Sequence, residues 1–297
     1  MTTIFNEKNR RIMKSVKQMK NKTLLSHAYN ASLYLSFRED FFIFGYILQA
    51  LEELEYDNID RKNIDNIMAA IHLILLSGYH TYNLPMYYNR DRDIKTNKDT
   101  LHRYCNESIA ELIIIILSRN SVKRILECDG IEKRSLLKLI RLFTEYNNIH
   151  SNVNDNIYKE VKDFISSEKS EQSRKQLFDN MIKTDMYKIF RLLFIGFEVI
   201  KNKIYPSNND LIEIDELSKR FSEIYIYTYT DLHPLCDTIQ SCTDQENKFV
   251  ESKSGCMELL LKRDYYNRSF QNILQFIERQ FLCKIRDNMR KNTNRML

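Results

Sequence analysis

Apolar residues recur at helical spacing along most of the chain. In four segments they stand three and four positions apart, the spacing that places side chains on one face of an α-helix. These sets are Ile64, Ile67, Met68, Ile71 and Leu75; Leu136, Leu139, Ile140 and Phe143; Phe190, Leu193, Phe194, Phe197 and Ile200; and Phe270, Ile273, Leu274, Ile277 and Phe281. Each set predicts the buried face of an amphipathic helix.

A fifth segment, Ala110–Leu117, is apolar on nearly every side. A helix of this kind is typical of the centre of a bundle, and its apolar surface also suits an interface with another chain. Its purely apolar part, Leu112–Leu117, is far shorter than the about 20 residues that cross a bilayer. The pattern therefore predicts no transmembrane segment.

Polar clusters separate the apolar segments and predict loops. They are Tyr56–Asp60, Asn83–Asp99, Asn147–Asn156, Ser166–Ser173, Pro206–Asp210 and Ser241–Ser254. None is rich enough in Pro, Gly and Ser to form a flexible interdomain linker. We therefore expect one domain over residues 1–297 with about ten to thirteen helices. Residues 1–25 would form a basic N-terminal helix or arm, and residues 285–297 a basic tail.

Glycine and proline are scarce. The chain has 297 residues with 5 Gly and 3 Pro, where an average soluble protein of this length carries about 20 and about 15. Tight turns, bulges and Gly-rich phosphate loops need these residues. Neither G-x-G-x-x-G nor G-x-x-x-x-G-K-[ST] occurs, which excludes nucleotide binding through such a loop. The composition disfavours sandwiches, barrels and Rossmann domains and predicts an all-α fold.

Charge and cysteine content restrict the possible partners. The net charge of +5, from 45 basic and 40 acidic residues, allows an anionic ligand but does not indicate nucleic acid. The six cysteines form no C-x-x-C pair and no zinc spacing with His, so we expect reduced thiols. The first dozen residues are charged, unlike a secretory signal. These features predict a cytoplasmic protein that does not bind nucleic acid.

Residues 100–111 read T-L-H-R-Y-C-N-E-S-I-A-E. They resemble the T-x-H-x-x-x-G-x-x-x-A segment of the trans-prenyl diphosphate synthases, which follows the first Asp-rich motif and an Arg pair in that family. The resemblance implies a phosphate-binding role for His102 and Arg103. Counting back from His102, the Arg pair falls on Lys95 and Thr96, so one of its two cations remains, as Lys95.

Four further segments resemble motifs of the same family, in the family's own order. They are Y-L-S-F-R at 34–38 for G-K-x-x-R, N-M-I-K-T-D-M-Y at 180–187 for x-M-x-x-K-T-G-x-L-F, Y-T-Y-T-D-L-H-P-L at 227–235 for F-Q-x-x-D-D-x-x-D/N, and V-E-S-K-S at 250–254 for T-E-G-K-x. The resemblance implies substrate contacts from Arg38, Lys183, Thr184 and Lys253, and a remnant metal ligand at Asp231. By chain length and short tail, the eukaryotic geranylgeranyl diphosphate synthase branch looks most similar.

The resemblance implies a single orthogonal helical bundle of the isoprenoid synthase type around a central cavity. Members of that family dimerise, and they condense isopentenyl diphosphate with an allylic diphosphate. Ionisation of the allylic C–O bond leaves a diphosphate anion that Mg²⁺ must neutralise. In the family, two facing Asp-rich motifs supply the oxygen ligands that Mg²⁺ requires.

Those carboxylates are absent from the first motif. No Asp or Glu occurs from Asn66 to Arg90, whether the motif is placed on Tyr82–Pro85 or on Met86–Arg90. In the second motif, Leu232 and Leu235 replace the partners of Asp231, and in the first segment Leu35 replaces the family's Lys. We therefore expect no metal cofactor. The remaining basic set suits a phosphate and consists of Arg38, Lys95, His102, Arg103, Lys183 and Lys253.

Each candidate also has a purely structural explanation. His102 fits a partly buried histidine, Arg38 and Lys253 fit surface charges, and Asp231 fits a turn cap before Pro234. For Lys183 and Thr184 we favour a loop or the start of a helix, where the Thr184 side chain would cap the next turn.

Two functions remain open if the resemblance is sound. The first is an inactive prenyl synthase relative that serves as a partner or regulatory subunit, in a homodimer or in a heterodimer with an active prenyl synthase. The same inactive relative could instead serve to bind an isoprenyl diphosphate. The alternative is a divergent prenyltransferase or terpene synthase, with Asp231, Asp237, Asp91 or Asp93 holding fewer metals. We favour the first, because stabilisation of the leaving group is the main catalytic contribution. If the resemblance misleads, the chain is another helical protein.

Overall fold

The computed structural model describes residues 10–11, 14, 16, 29, 32–33, 39–54, 59–85, 91–92, 99–146, 171–229 and 239–296. Its helices are α1 (Glu39–Glu52), α2 (Arg61–Tyr82), α3 (Leu101–Cys105), α4 (Glu107–Leu126), α5 (133–146), α6 (Glu171–Asn202), α7 (Asn208–Tyr229), α8 (Ile239–Lys262) and α9 (Arg268–Met296). Within these ranges there is no strand, only an isolated bridge between Arg92 and Asp99. The predicted all-α fold is confirmed.

The chain divides into two compact units. The first comprises Met1–Tyr158 with Ile195–Tyr205, and the second comprises Lys159–Phe194 with Pro206–Leu297. Helix α6 therefore contributes to both units. The predicted single domain with a central cavity depends on how the two units are joined, and it stays a prediction.

Helix α2 forms the centre of the first unit. Every residue from Asn66 to Gly78 is buried, and both α1 and α4 pack on this helix. A Cβ added at Gly196, in the part of α6 that belongs to this unit, would lie 3.2 Å from the side chain of Ile67. The glycine thus allows the α6 backbone to approach α2 closely. The predicted apolar face of α2 is confirmed as core.

Aromatic side chains fill the second unit. The ring centroids of Phe190 and Phe221 lie 5.5 Å apart, and those of Phe221 and Phe270 lie 6.5 Å apart. Phe249 of α8 stacks on Phe281 of α9 with a centroid distance of 4.1 Å. The predicted apolar sets around Phe190 and Phe270 are buried throughout, so both are confirmed.

Residues Ser241–Ser254 are helical, and the loop predicted there is wrong. They lie inside α8, where Phe249, Ser252, Cys256 and Leu260 are buried at helical spacing and α7 packs alongside. The segment is mostly polar, so its weak apolar pattern did not indicate a helix. Contact with α7 supplies the stabilisation that intrinsic propensity lacks.

Helix α6 also extends further than predicted. It begins at Glu171, inside the predicted loop Ser166–Ser173, and it runs through Lys183 and Thr184. The loop or helix start predicted at these two residues is therefore wrong. The predicted loop Asn147–Asn156 lies outside the described residues.

The predicted loop at Pro206–Asp210 is shorter than expected. Helix α7 begins at Asn208, and the side chains of Ser207 and Asp210 cap its start reciprocally. The Ser207 hydroxyl accepts from the Asp210 backbone N–H at 3.3 Å, and the Asp210 carboxylate accepts from the Ser207 N–H at 3.2 Å. This is a capping box, which uses polar residues to begin a helix rather than to interrupt one.

Helix α4 is buried on one side only. Ala110, Ile113 and Leu117 are fully buried, whereas Leu112 and Ile115 are 42% and 47% exposed. The expected position at the centre of a bundle is therefore wrong, because α2 covers only one face of this helix. Its other face presents apolar side chains at the surface of the described structure.

The ends of the chain are described only in part. Of residues 1–25, four are described, Arg10, Arg11, Lys14 and Val16, and all are helical. At the other end α9 reaches Met296, so the basic tail is helical up to that residue. No helix in the described ranges is long and apolar enough to cross a membrane.

We expect the substitution Asn63→Ala to lower the free energy of unfolding by about 2 kcal/mol. The Asn63 side chain is fully buried, donates to the Asp129 carbonyl at 2.8 Å and accepts from the Asp129 N–H at 2.9 Å. Its removal leaves both backbone groups without a partner. Denaturant unfolding measures the change.

The matched control is Lys62→Ala, one position earlier on the same helix. Lys62 contacts the same residue, Asp129, but through an exposed ion pair. Since exposed pairs contribute little, this variant should be as stable as the wild type. Equal losses in the two variants would contradict the role assigned to Asn63.

Candidate functional site

The end of α2 is one of the two places where the resemblance puts the first Asp-rich motif. The helix ends at Tyr82, and Thr81 and Asn83 are buried beside it. The Asn83 amide donates to the Tyr79 carbonyl at 2.7 Å, and the Thr81 hydroxyl donates to the Ser77 carbonyl at 2.9 Å. Backbone carbonyls of α2 therefore accept the hydrogen bonds that these two side chains donate.

This end of α2 does not fit Mg²⁺, which prefers carboxylate and water oxygens. The only carboxylate of α2 is Asp65, near its first turn, where it accepts from Arg11 at 2.7 Å. Among the described residues, no three or more His, Cys, Asp and Glu side chains are grouped so that they could hold a metal ion. The other possible location of the motif, Met86–Arg90, and the carboxylates Asp231 and Asp237 lie outside the described residues.

Backbone contacts bring the residues before α3 next to Asp91. The Thr100 N–H donates to the Asp91 carbonyl at 2.9 Å, and the bridge between Arg92 and Asp99 continues this pairing. Thr100 is fully buried, and its hydroxyl lies 3.2 Å from Nδ1 of His102. The pairing therefore places the Asp91 side chain near the first turn of α3.

His102 is buried, with 8% of its surface exposed. Burial lowers its pKa below the usual 6.5, and the charge of Arg103 lowers it further. The carboxylates of Asp91 and Glu107 oppose this shift. The burial effect is the largest, so His102 is neutral at pH 7 and adds no positive charge to the site.

Arg103 is exposed but already has an anionic partner. Its Nε lies 3.1 Å from Oδ1 of Asp91, and Nε2 of His102 lies 3.9 Å from the same oxygen. Two of the predicted phosphate-binding residues therefore meet at one carboxylate. The sequence did not indicate this partnership, because the backbone pairing that joins Asp91 to Thr100 has no short-range signature.

Asn106 occupies the position where the resembled pattern has Gly. It has φ 81° and ψ 163°, a backbone region that glycine adopts and other residues avoid. Its side chain accepts from the Ile109 N–H at 3.0 Å and so caps the start of α4. The sharp change of direction between α3 and α4 explains why glycine suits this position.

The other predicted site residues are described only in part. Lys253 is half-buried and lies 2.7 Å from Glu278, so an ion pair between α8 and α9 already engages its ammonium group. Lys183 and Thr184 lie on α6, but their side chains are not among those described. Arg38, Lys95 and Asp231 lie outside the described residues.

Solved structures of prenyltransferases share this architecture. A geranyltransferase from Legionella pneumophila matches with a TM-score of 0.65 and 13% identity over 94% of this chain and 96% of its own. A geranyltranstransferase from Thermotoga maritima matches with a TM-score of 0.66 and 15% identity over 92% and 98%. A Helicobacter pylori geranyltransferase, complexed with magnesium and isoprenyl diphosphate, matches with a TM-score of 0.67 and 14% identity over 93% and 97%.

No family model and no curated protein matches the sequence. At identities of 13–15%, the structural matches establish the fold alone. The chain has the all-α fold of the prenyltransferases, as the five sequence segments predicted. The similarity to the eukaryotic geranylgeranyl branch stays a prediction.

We expect Asn106→Gly to raise the free energy of unfolding by about 1 kcal/mol, because glycine relieves the backbone strain and costs little as a helix cap. Asn106→Ala should lower it by about 1 kcal/mol, since alanine keeps the strain and loses the cap. Thermal and denaturant unfolding of the two variants tests both signs. A glycine variant less stable than the wild type would contradict the strained geometry.

We expect His102 to make the protein less stable as the pH falls below 6.5. Its pKa is lower in the folded chain than in the unfolded chain. The unfolded state therefore binds more protons in this range, and stability declines with decreasing pH. The measurement is the free energy of unfolding at about pH 7.5 and about pH 5.5, for the wild type and for His102→Gln.

The variant removes this titration and keeps the other histidines. Its loss of stability between the two pH values should therefore be smaller than that of the wild type. Identical losses would mean that His102 titrates alike in the folded and unfolded chains.

Proposed function

We propose that this chain is a prenyl synthase relative without the magnesium-dependent reaction, and that it acts as a partner or regulatory subunit. The observation that carries the proposal is the absence of Asp and Glu from Asn66 to Arg90. This stretch covers most of α2 and both possible positions of the first Asp-rich motif. A diphosphate leaving group on that side would meet no metal-bound charge.

The chemistry of the α2 end supports the same proposal. A carboxylate at Asn83 would be buried at the C-terminal end of a helix, where the helix dipole disfavours negative charge. A magnesium ion would offset that cost, but α2 has no second carboxylate near this end to share the ion. A neutral amide bonded to the Tyr79 carbonyl suits a helix end that holds no metal.

A diphosphate ligand remains compatible with this role, although its affinity should be modest. The Helicobacter pylori geranyltransferase structure contains isoprenyl diphosphate. A phosphate bound at Arg103 would have to displace Asp91, and one bound at Lys253 would have to displace Glu278. Binding that depends on exposed cations weakens with added salt.

The alternative, a divergent prenyltransferase or terpene synthase, would require unfamiliar carboxylates to hold metal. Of the four candidates, Asp91 is described, and its Oδ1 lies 3.1 Å from the Arg103 guanidinium. A metal ion bound there would be repelled by that cation. This contact makes the enzymatic alternative the less favoured one.

We expect the purified chain to form no product from isopentenyl diphosphate and any C5 to C20 allylic diphosphate in the presence of Mg²⁺. The reason is that ionisation of the allylic C–O bond requires metal charge at the diphosphate. Product analysis with radiolabelled isopentenyl diphosphate provides the measurement, with the Helicobacter pylori geranyltransferase as positive control.

The double variant Tyr82→Asp/Asn83→Asp should also form no product, because Leu232 and Leu235 leave the second motif incomplete. Magnesium-dependent chain elongation by the wild type would overturn the proposal and establish the enzymatic alternative.

A further inference from the structure

Helix α5 carries basic residues around one exposed leucine. Its inner face buries Leu139, Phe143 and Tyr146. On the opposite face Leu137 is 66% exposed. Since successive residues of a helix are about 100° apart, the neighbouring bases lie on both sides of this leucine. All four are exposed, and they are Lys133, Arg134, Lys138 and Arg141. Leu137 and these four bases form the α5 outer face, which has an apolar centre and a cationic border.

The chain that follows α6 passes beside this face. The Tyr205 backbone N–H donates to the Ser135 hydroxyl at 2.8 Å. The Lys138 ammonium lies over the Tyr205 ring, with Nζ 4.9 Å from the ring centroid. Ile204 precedes Tyr205 in the chain and is 57% exposed. The α5 outer face therefore has a second exposed apolar residue beside it.

Interactions within the chain do not explain where these bases stand. Lys133 and Arg134 lie in the first turn of α5, where the helix dipole disfavours positive charge. Arg134 and Lys138 are four residues apart, a spacing at which like charges destabilise a helix. Arg141 pairs with Glu145 at 2.7 Å, but among the described residues no acid pairs with Lys133 or Arg134. An arrangement that lowers the stability of its own helix is typical of a functional surface.

We propose that the α5 outer face docks the chain on an anionic lipid surface. One exposed leucine is ordinary on a protein, and a few exposed bases are usually only solvated. Together on one face they match the two layers of a membrane surface. The bases bind anionic headgroups, and Leu137 enters the boundary between the headgroups and the acyl chains.

Nucleic acid is the other large polyanion that four bases would suit. Its phosphates require cations but no exposed aliphatic side chain. Proteins that bind single strands also stack aromatic rings on the bases, whereas both aromatic residues of α5, Phe143 and Tyr146, are buried. The exposed Leu137 therefore favours lipid. This inference goes beyond the proposed function, because it holds whether or not the chain is catalytic.

Cosedimentation of the full chain with vesicles tests the proposal. The probes are vesicles of phosphatidylcholine alone and vesicles with about 30% phosphatidylserine, both at about 50 mM salt. The wild type should bind the anionic vesicles at about 1 mM lipid and bind the neutral ones at least about tenfold more weakly. Lys133→Glu/Arg134→Glu should weaken binding to the anionic vesicles by about tenfold or more, because it reverses two charges at the contact.

The matched control is Lys248→Glu/Arg268→Glu, which makes the same charge change at exposed positions of α8 and α9. Bases elsewhere in the chain also attract anionic vesicles, so the comparison between the two double variants is decisive. The control should bind within about threefold of the wild type. The variant Lys133→Glu/Arg134→Glu should be at least as stable as the wild type in denaturant, because acids suit the first turn of a helix. Its loss of binding is then not a loss of folding.

A second pair of variants tests the apolar contact. Leu137→Gln should weaken binding to the anionic vesicles by roughly fivefold, because the leucine side chain no longer leaves water. Its control is Ile212→Gln on α7, where the replaced side chain is 68% exposed and lies outside the α5 outer face. This control should bind like the wild type.

Several results would overturn the proposal. They are a wild type that does not bind the anionic vesicles or binds neutral ones equally well, equal binding by the two double variants, and normal binding by Leu137→Gln, which would make the contact one of charge alone. Binding to duplex DNA or RNA without binding to vesicles would also overturn it. The elongation assay tests the proposed function separately. An active chain that docks through α5 would overturn that function and leave this inference standing, and an inactive chain that ignores vesicles would do the reverse.

Discussion

The first unit depends on the burial of α2. From Asn66 to Gly78 every residue of this helix is buried, so no position in that stretch is free to carry an unpaired charge. Polar side chains at its end must find partners nearby, and Asn83 and Thr81 find them in carbonyls of the preceding turn. The core packing and the chemistry of the candidate site are therefore coupled through one helix. A metal site at this end would need both carboxylates and the metal to offset their burial.

The basic residues that the sequence proposed as phosphate ligands follow a similar rule, because the charge of each one whose side chain is described is either paired or suppressed within the chain. Arg103 pairs with Asp91, Lys253 pairs with Glu278, and burial keeps His102 neutral. From the sequence these residues looked like cations available to a phosphate. In the structure a phosphate would compete with an existing carboxylate for Arg103 and for Lys253. Each of these residues therefore has less free positive charge than the sequence indicates.

The helices that the sequence predicted well have strong apolar periodicity. The faces around Ile64, Phe190 and Phe270 are buried as expected, because periodicity reports burial directly. Helix α8 was missed because its first half is polar and its stability comes from contact with α7. The five family-like segments predicted the prenyltransferase fold, which periodicity alone could not specify.

Short-range sequence patterns predicted the contacts of the candidate site less well than they predicted the helices. The contact between Asp91 and Arg103 depends on the backbone pairing of Asp91 with Thr100, and no sequence pattern predicts that pairing. The role of Asn106 depends on a positive φ that only the turn between two helices reveals. Pairings of this kind join residues that are distant in sequence or unusual in backbone conformation, so neither helical spacing nor composition indicates them.

The two faces of the apolar segment of α4 lie in different environments. Its inner face packs on α2, and its outer face leaves Leu112 and Ile115 exposed. Burial inside the chain explains the first face, whereas single exposed apolar side chains such as those of the second are common on protein surfaces and by themselves indicate no partner. On the proposed function, catalysis no longer constrains the end of α2, whereas folding still constrains the inner face of α4. From Asn66 to its end, helix α2 keeps the buried residues that its packing needs and has no carboxylate of the kind that Mg²⁺ prefers.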